Sequence, residues 1–225
     1  MIRAVLFDLF ETLITESQAP PTRASLLGET LGLNGEAFRA EWKARRPRVV
    51  LGQLSFGEAL AEISKAVTGF VDASAVQRAC DQRTREKAIA FSEIDDDVAA
   101  LIGELRGMGL GLAVVSNCFA EDVRAWSTWP LARQFQYSIF SYAAGVAKPD
   151  PAIYLRATRG LGVEPETTVF IGDGGDDELV GAEQAGLRAF RALWFLRRWG
   201  HLGSSNGHGV GLADRQDVLT LVAAG

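Results

Sequence analysis

The run Ala4-Val5-Leu6-Phe7 ends on Asp8 and continues as Leu9-Phe10-Glu11-Thr12-Leu13, and the rest of the chain is read outward from this stretch. Four consecutive apolar residues without alternation describe a strand buried on both faces, as in a parallel sheet. The carboxylate that follows falls at the strand's carboxyl end, where open α/β sheets place their functional crevice. Two further runs repeat the pattern, Leu112 to Val115 before Ser116 and Val169 to Ile171 before Gly172-Asp173. Helical patterns accompany them, at Asp97 to Met108, Asp150 to Gly160 and Glu178 to Ala185. The alternation predicts an α/β layered domain in which Asp8, Ser116 and Asp173 converge. Ala189 to Leu193 predicts another strand, Gly200 to Gly211 a glycine- and serine-rich loop, and Asp214 to Val222 a final short helix.

From about Ile14 to Ala90 no comparable strand-like run occurs. Amphipathic helices are expected at Arg23 to Leu31, Glu36 to Arg45, Phe56 to Val67 and Ala73 to Ala88, broken apart by Pro20-Pro21, Gly32, Pro47 and Gly69. A helical insertion therefore follows the first strand. The expected organisation is a Rossmann-like parallel-sheet core, residues 1–14 and 91–225, with an all-helical cap, 15–90, set as a lid over the crevice.

The 225 residues carry 23 Lys+Arg and 28 Asp+Glu, a formal net charge of −5, with 48% hydrophobic and 23% charged residues. That balance fills a core and excludes a disordered chain. The acidic excess argues against general affinity for nucleic acid or an anionic membrane. No apolar run approaches the ~20 residues that span a bilayer, and Asp8 comes too early for a signal sequence. Cys80 and Cys118 have neither zinc-type spacing nor the density of a disulfide scaffold, which points to reduced thiols and the cytoplasm.

A lone carboxylate at a strand end serves as readily to cap a turn as to act in chemistry. Here Asp8 is joined, across the predicted sheet, by Asp173, Asp176, Asp177 and Glu178. Carboxylates crowded into one crevice repel one another unless a cation neutralises them. An oxygen-rich set of this kind suits Mg²⁺, which in turn holds a phosphate.

Four separated motifs resemble those of the haloacid dehalogenase superfamily of hydrolases and phosphotransferases. Phe7-Asp8-Leu9-Phe10-Glu11-Thr12-Leu13 is similar to the family's nucleophile loop, and Val115-Ser116-Asn117 to the loop whose hydroxyl and backbone donors hold the transferring group. Gly145-Val146-Ala147-Lys148-Pro149-Asp150-Pro151 resembles the motif whose lysine screens the nucleophile and binds phosphoryl oxygens. Phe170-Ile171-Gly172-Asp173-Gly174-Gly175-Asp176-Asp177-Glu178 resembles the metal-binding motif. The resemblance implies Asp8 as nucleophile, Lys148 and Ser116 as its catalytic companions, and Thr12, Ser116, Asn117 and Lys148 as substrate-binding residues. For Mg²⁺ it implies Asp8, Asp173, the backbone carbonyl of Phe10, and Asp177 or Glu178 as the supporting acid. A carboxylate attacking phosphorus forms an acyl phosphate and divides one hard displacement into two easier ones, with the metal and the lysine offsetting anion–anion repulsion.

One position departs from the pattern. Two residues after the nucleophile the phosphatase branch carries a second aspartate as general acid and base, and here stands Phe10. Losing such help costs typically ~10²–10⁴-fold, so ordinary alkyl phosphates are expected to turn over slowly. Glu11 substitutes if the loop presents it inward. An aromatic residue at this position also occurs in the dehalogenase branch, whose halide leaves without a proton. The acids of the fourth motif weigh more heavily. The reading is a Mg²⁺-dependent phosphatase acting on a small phosphorylated metabolite, with a metal-free 2-haloacid dehalogenase, acting on a halogenated substrate, or a non-catalytic binding descendant as alternatives.

Other signals read as structural. Arg39, Lys43, Arg45, Arg46 and Arg48, interleaved with Glu36 and Glu41, describe a solvated helix face, with binding of an anionic substrate tail as the functional alternative. Asp95-Asp96-Asp97 suits a helix N-terminus, and Cys118 suits the core. Arg197, Arg198, Trp199, His201 and His208 fall in a loop expected to be packed, since two histidines without further ligands make a poor zinc site.

Overall fold

The computed structural model describes residues 1–16, 24–200 and 208–225. His201 lies outside them. In chain order the elements are β1 (Ala4–Phe7), α1 (Ala24–Thr30), α2 (Gly35–Val50), α3 (Phe56–Thr68), α4 (Ala73–Ile89), α5 (Asp96–Gly107) and β2 (Gly111–Ser116). They continue with β3 (Tyr137–Phe140), α6 (Ser141–Ala144), α7 (Pro151–Leu161), β4 (Thr168–Gly172), α8 (Glu178–Gln184), β5 (Arg188–Ala192), α9 (Trp194–Arg198), β6 (Val210–Leu212) and α10 (Arg215–Ala224).

The strands form one six-stranded sheet in the order β3-β2-β1-β4-β5-β6, and every pairing is parallel. β1 is central and all four of its residues are buried, which is why its sequence shows no alternation. Val5 and Phe7 face a core shared with Val98, Leu101, Ile102 and Leu105 of α5 and with Val218 and Val222 of α10. Leu6 faces the opposite core, with Ile153, Tyr154 and Ala157 of α7 and Leu179 and Ala182 of α8. The result is a three-layer α/β/α arrangement, the fold class expected from the alternating runs. Strands β2 and β4 flank β1, so their carboxyl ends bring Ser116 and Asp173 to either side of Asp8.

Helices α1–α4 carry a separate apolar cluster, among it Leu33, Phe38, Val49, Leu54, Phe56, Leu60 and Ile63, which also takes in Phe119 from the turn after β2. Their starts follow side-chain chemistry: Asn34 accepts from the backbone of Glu36 and Ala37, Ser55 and Glu58 form a reciprocal capping box, and Asp72 caps α4. Among the described residues no helix is long and apolar enough to cross a membrane.

Four sequence expectations need correction, the first being that Arg197 and Arg198, expected in a loop, close the short helix α9. Pro47 does not break its helix but lies within the last turn of α2, where the missing N–H costs a single bond. β3 was not expected, because its pattern is two exposed residues, one buried and one half-buried, as befits an edge strand. The segment read as loop to Gly211 instead enters β6, a three-residue edge strand too short to show periodicity.

The helical segment meets the sheet domain through a buried ion pair. Arg83 Nε of α4 donates to Asp122 Oδ1 at 2.7 Å, Phe119 N donates to Asp122 Oδ2 at 3.0 Å, and the Arg83 guanidinium lies 5.1 and 4.5 Å from the Phe56 and Phe119 ring centroids. Asp122 is buried and Arg83 nearly so. Removing one partner strands the other charge in a dry site. Arg83→Ala is therefore expected to lower stability by about 3–5 kcal/mol in urea denaturation, whereas Arg83→Met combined with Asp122→Leu costs less; equal losses would show that the charge is not the term at stake.

Candidate active site

Asp8 leaves the tip of β1, and its backbone N–H is held by the carbonyl of Ile171 on β4 at 2.9 Å. The nucleophile candidate is thus fixed to the sheet rather than carried on a free loop. Lys148 Nζ donates to both Asp8 Oδ1 and Glu178 Oε2. Asp8, Lys148 and Glu178 are 6%, 5% and 1% exposed, so these charges interact with little solvent between them.

Electrostatics follow from that burial. Desolvation raises the Asp8 carboxyl to about 6, with Lys148 opposing the rise and Asp173 adding to it. Desolvation likewise raises Glu178 to about 8, again against Lys148. Burial alone would lower the lysine; the attraction of Asp8 and Glu178 overrides it and keeps the ammonium charged.

Asp8, Asp173 and Glu178 each offer a carboxylate oxygen within 4.8 Å of the others. Asp177, the alternative to Glu178 as supporting acid, is exposed and lies outside that group. Glu178 is anchored more firmly than its place in an acidic run indicates. Its Oε1 accepts from Gly174 N at 2.9 Å, and its backbone carbonyl accepts from the Tyr154 hydroxyl at 2.6 Å. Gly172 permits this, since a Cβ there would stand 2.1 Å from Glu178 Oε1.

Asn117 works on the lysine from the other side. Its Oδ1 accepts from Lys148 N at 2.8 Å, and its Nδ2 donates to Lys148 O at 2.9 Å and to Asp176 Oδ2 at 3.2 Å. Both backbone groups of Lys148 are thereby clamped to the turn after β2. Ser116 Oγ and Thr12 Oγ1 are buried and have no hydrogen-bond partner among the described residues. Two unpaired buried hydroxyls are costly, and both belong to residues flanking Asp8 in the sheet or following it in the loop.

Glu11 adopts a left-handed backbone, φ 55°. Its carboxylate accepts from Thr15 Oγ1 at 2.9 Å and from Glu16 N at 2.7 Å, so it is engaged by the loop that follows. Burial raises its pKa, and those two hydrogen bonds oppose the rise. The Phe10 ring packs against the core, with Lys87 Nζ 4.8 Å from its centroid, and Lys87 also pairs with Glu16.

The basic residues of α2 divide. Arg45 is bound by Glu41 and Glu62, and Arg48 by Glu62, as a solvated helix face requires. Arg46 reaches across to Asp176 at 3.8 Å. Asp95 caps α5 by accepting from Asp97 N and Val98 N. Cys118 is buried, with its thiol pushed well up by burial, and behaves as core. His208 meets Glu183 at 2.9 Å, far in sequence from any second ligand.

Two residues at the site were not anticipated. The buried Tyr154 sits on an apolar helix face and gave no signal. Arg191, 7% exposed, donates through Nε to the Asp173 carbonyl at 2.9 Å and fixes the backbone of that acid. A single cation inside the apolar run Ala189 to Leu193 is the signal that marks it.

The chain is similar to known proteins along most of its length. A family model described as haloacid dehalogenase-like hydrolase matches residues 2–186. The glyceraldehyde 3-phosphate phosphatase of Methanopyrus kandleri is 30% identical over 202 residues, 85% of this chain and 84% of the relative. The phosphoserine phosphatase of Thermus thermophilus is 32% identical over 115 residues, covering 48% and 46% of the two chains. Among solved structures, a 2-haloacid dehalogenase from Pseudomonas syringae pv. Tomato superposes with a TM-score of 0.67 at 22% identity, over 100% of this chain and 99% of the other. A phosphatase of the same superfamily from Thermococcus onnurineus gives 0.66 at 17%, over 98% of each. With the family model spanning most of its length and an acid, a lysine and a second acid gathered at the sheet's carboxyl edge, the chain belongs to the haloacid dehalogenase-like hydrolases.

Proposed function

We propose that this hydrolase is a Mg²⁺-dependent phosphatase that acts through an aspartyl-phosphate intermediate on a small phosphorylated metabolite, with α1–α4 as its cap. One observation carries the reading. Three carboxylates, Asp8, Asp173 and Glu178, share a site that contains one ammonium, Lys148. The all-oxygen donor set and its unbalanced charge fit a hard divalent cation, and a halide-releasing site has no use for the surplus acid. The 30% identity to a named phosphatase over 85% of the chain supports the same choice.

In this mechanism Asp8 and Asp173, with the carbonyl of Phe10, would hold Mg²⁺, and Glu178 would support them. The metal, when bound, supplies charge neutralisation for an anionic substrate meeting an anionic nucleophile. An Asp8 carboxylate oxygen attacks phosphorus, the bond from phosphorus to the leaving oxygen breaks, and water then cleaves the acyl phosphate. Lys148 binds a phosphoryl oxygen while remaining tied to Glu178. The unpartnered hydroxyls of Ser116 and Thr12 donate to the other oxygens, which gives both buried groups the partner they lack.

The proton balance shapes the substrate. Phe10 cannot protonate the departing oxygen, and the Glu11 carboxylate is occupied by Thr15 and Glu16. Esters with good leaving groups are therefore favoured. The same lack of a donor is what favours the second reading, a 2-haloacid dehalogenase using Asp8 without metal.

Phosphate release from aryl and acyl phosphates is expected to require Mg²⁺, to stop with EDTA and to vanish in Asp8→Asn; metal-independent halide release from 2-haloacids by the wild type would instead establish the dehalogenase. Phe10→Asp restores a donor and is expected to raise kcat on alkyl phosphates by about 10²-fold with little change on aryl phosphates, and a uniform effect on both would reject the proton account. Arg46→Ala is expected to raise KM by about tenfold for phosphates bearing a second anionic group, while Arg45→Ala, which removes a guanidinium bound within α2 and α3, leaves KM near the wild-type value.

A further inference from the structure

Arg191 carries a charge where packing alone asks for an apolar side chain. It lies on β5 opposite Gly172 of β4 and Gly211 of β6, so neither neighbour in the sheet presents a side chain beside it. It is 7% exposed, and its Nη2 is buried without a hydrogen-bond partner among the described residues. Among those residues it also forms no ion pair. Arginine stays charged in proteins, and a buried cation without a carboxylate costs stability. Packing therefore does not explain its presence.

The bond that Arg191 does make supplies a reason. Its Nε donates to the Asp173 carbonyl at 2.9 Å. The N–H of the same peptide, that of Gly174, donates to Glu178 Oε1 at 2.9 Å. One peptide unit is thus gripped at both ends, by Arg191 on its oxygen and by Glu178 on its nitrogen. A cation on the carbonyl polarises the peptide and strengthens donation by its N–H, so each grip reinforces the other. Two glycines make the room: a Cβ on Gly172 would stand 2.1 Å from Glu178 Oε1, and one on Gly174 would stand 3.2 Å from Arg191 Nε. Asp173 Oδ1 in turn accepts from Gly175 N at 3.0 Å, which ties the carboxylate to the backbone that this peptide orients.

We propose that Arg191 is a positioning residue of the active site, whose guanidinium holds the Asp173–Gly174 peptide against Glu178 and so presets the separation of the Asp173 and Glu178 carboxylates. It acts through that peptide and not on a reacting atom. Without it the peptide is free to rotate, Glu178 Oε1 loses its donor, and two acids that repel one another drift apart. A divalent cation must then gather them again as it binds, at a loss of affinity. Arg191 thus lowers the stability of the fold in exchange for a site shaped in advance. The clamp stands on geometry alone, whereas its effect on a metal rests on the Mg²⁺ reading above.

The test compares Arg191→Met with the wild type, each as the full chain. Hydrogen exchange followed by NMR is expected to quicken about tenfold at the Gly174 amide and to stay unchanged at the Asp8 amide, which Ile171 holds. Calorimetric titration with magnesium chloride is expected to show binding about tenfold weaker. The sign is diagnostic, because removing a cation from beside acids would by Coulomb attraction alone tighten Mg²⁺ binding. Tm is expected to stay level or rise, since an apolar chain replaces a lone buried charge. Arg191→Lys, which keeps a cationic donor, is expected to recover part of both losses. Unchanged exchange at Gly174, equal acceleration at Gly174 and Asp8, Mg²⁺ binding that is unchanged or tighter, no recovery in Arg191→Lys, or an Arg191→Met chain that melts lower or does not fold would overturn the proposal. If the wild type itself takes up no Mg²⁺, the phosphatase reading fails, and exchange at Gly174 still decides the clamp.

Discussion

The Lys148 ammonium shared between Asp8 and Glu178 is the interaction on which the site depends. Three buried ionisable groups are tolerable only as a set, because each alone, if charged, would face the full cost of leaving water. Their positions come from separate parts of the chain: a strand tip, a loop before α7 and the start of α8. The surrounding structure is arranged to keep that set in register. Asn117 clamps the lysine backbone, Tyr154 and Gly174 fix Glu178, and Arg191 fixes the carbonyl of Asp173. Such a supporting shell matters more than the charges themselves, since a displacement of a fraction of an ångström would turn an ion pair into an uncompensated charge.

The same set is what the proposed divalent cation rests on. One lysine neutralises one carboxylate of three, and desolvation lifts both Asp8 and Glu178 above the ordinary carboxylate range. A crevice that holds surplus negative charge can meet a phosphate only if further positive charge arrives with it. The lone hydroxyls of Ser116 and Thr12 point to the same conclusion from the opposite direction, as donors that the protein itself does not satisfy.

The central sheet and the place of Asp8 at a strand tip were legible because burial on both faces leaves continuous apolar runs, and β1, β2 and β4 all have them. Edge strands escape that logic: Tyr137-Ser138-Ile139-Phe140 and Val210-Gly211-Leu212 are half solvated and carry too few residues to show a period. At the site, Asp8, Lys148 and Asp173 were visible as strand-end polar residues in recognisable motifs. The choice between Asp177 and Glu178 was not, because adjacent acids differ only in which way the turn points them, and that depends on left-handed backbone at Asp176 and Asp177. The direction taken by Glu11 was equally hidden, since it is set by partners at Thr15 and Glu16. Of the five α2 cations, periodicity could not single out Arg46, whose partner lies on another element.

The contact chain that begins at Glu11 has a mechanical meaning. Glu11 holds the amide of Glu16, and Glu16 in turn holds Lys87 near the end of α4, so the outgoing and returning connections of the helical segment are fastened to each other beside the nucleophile loop. A door hung this way has little play at the jamb. Swinging of α1–α4 relative to the sheet would tug first on the turn that presents Asp8, which makes the position of that carboxylate sensitive to the angle of the helical segment.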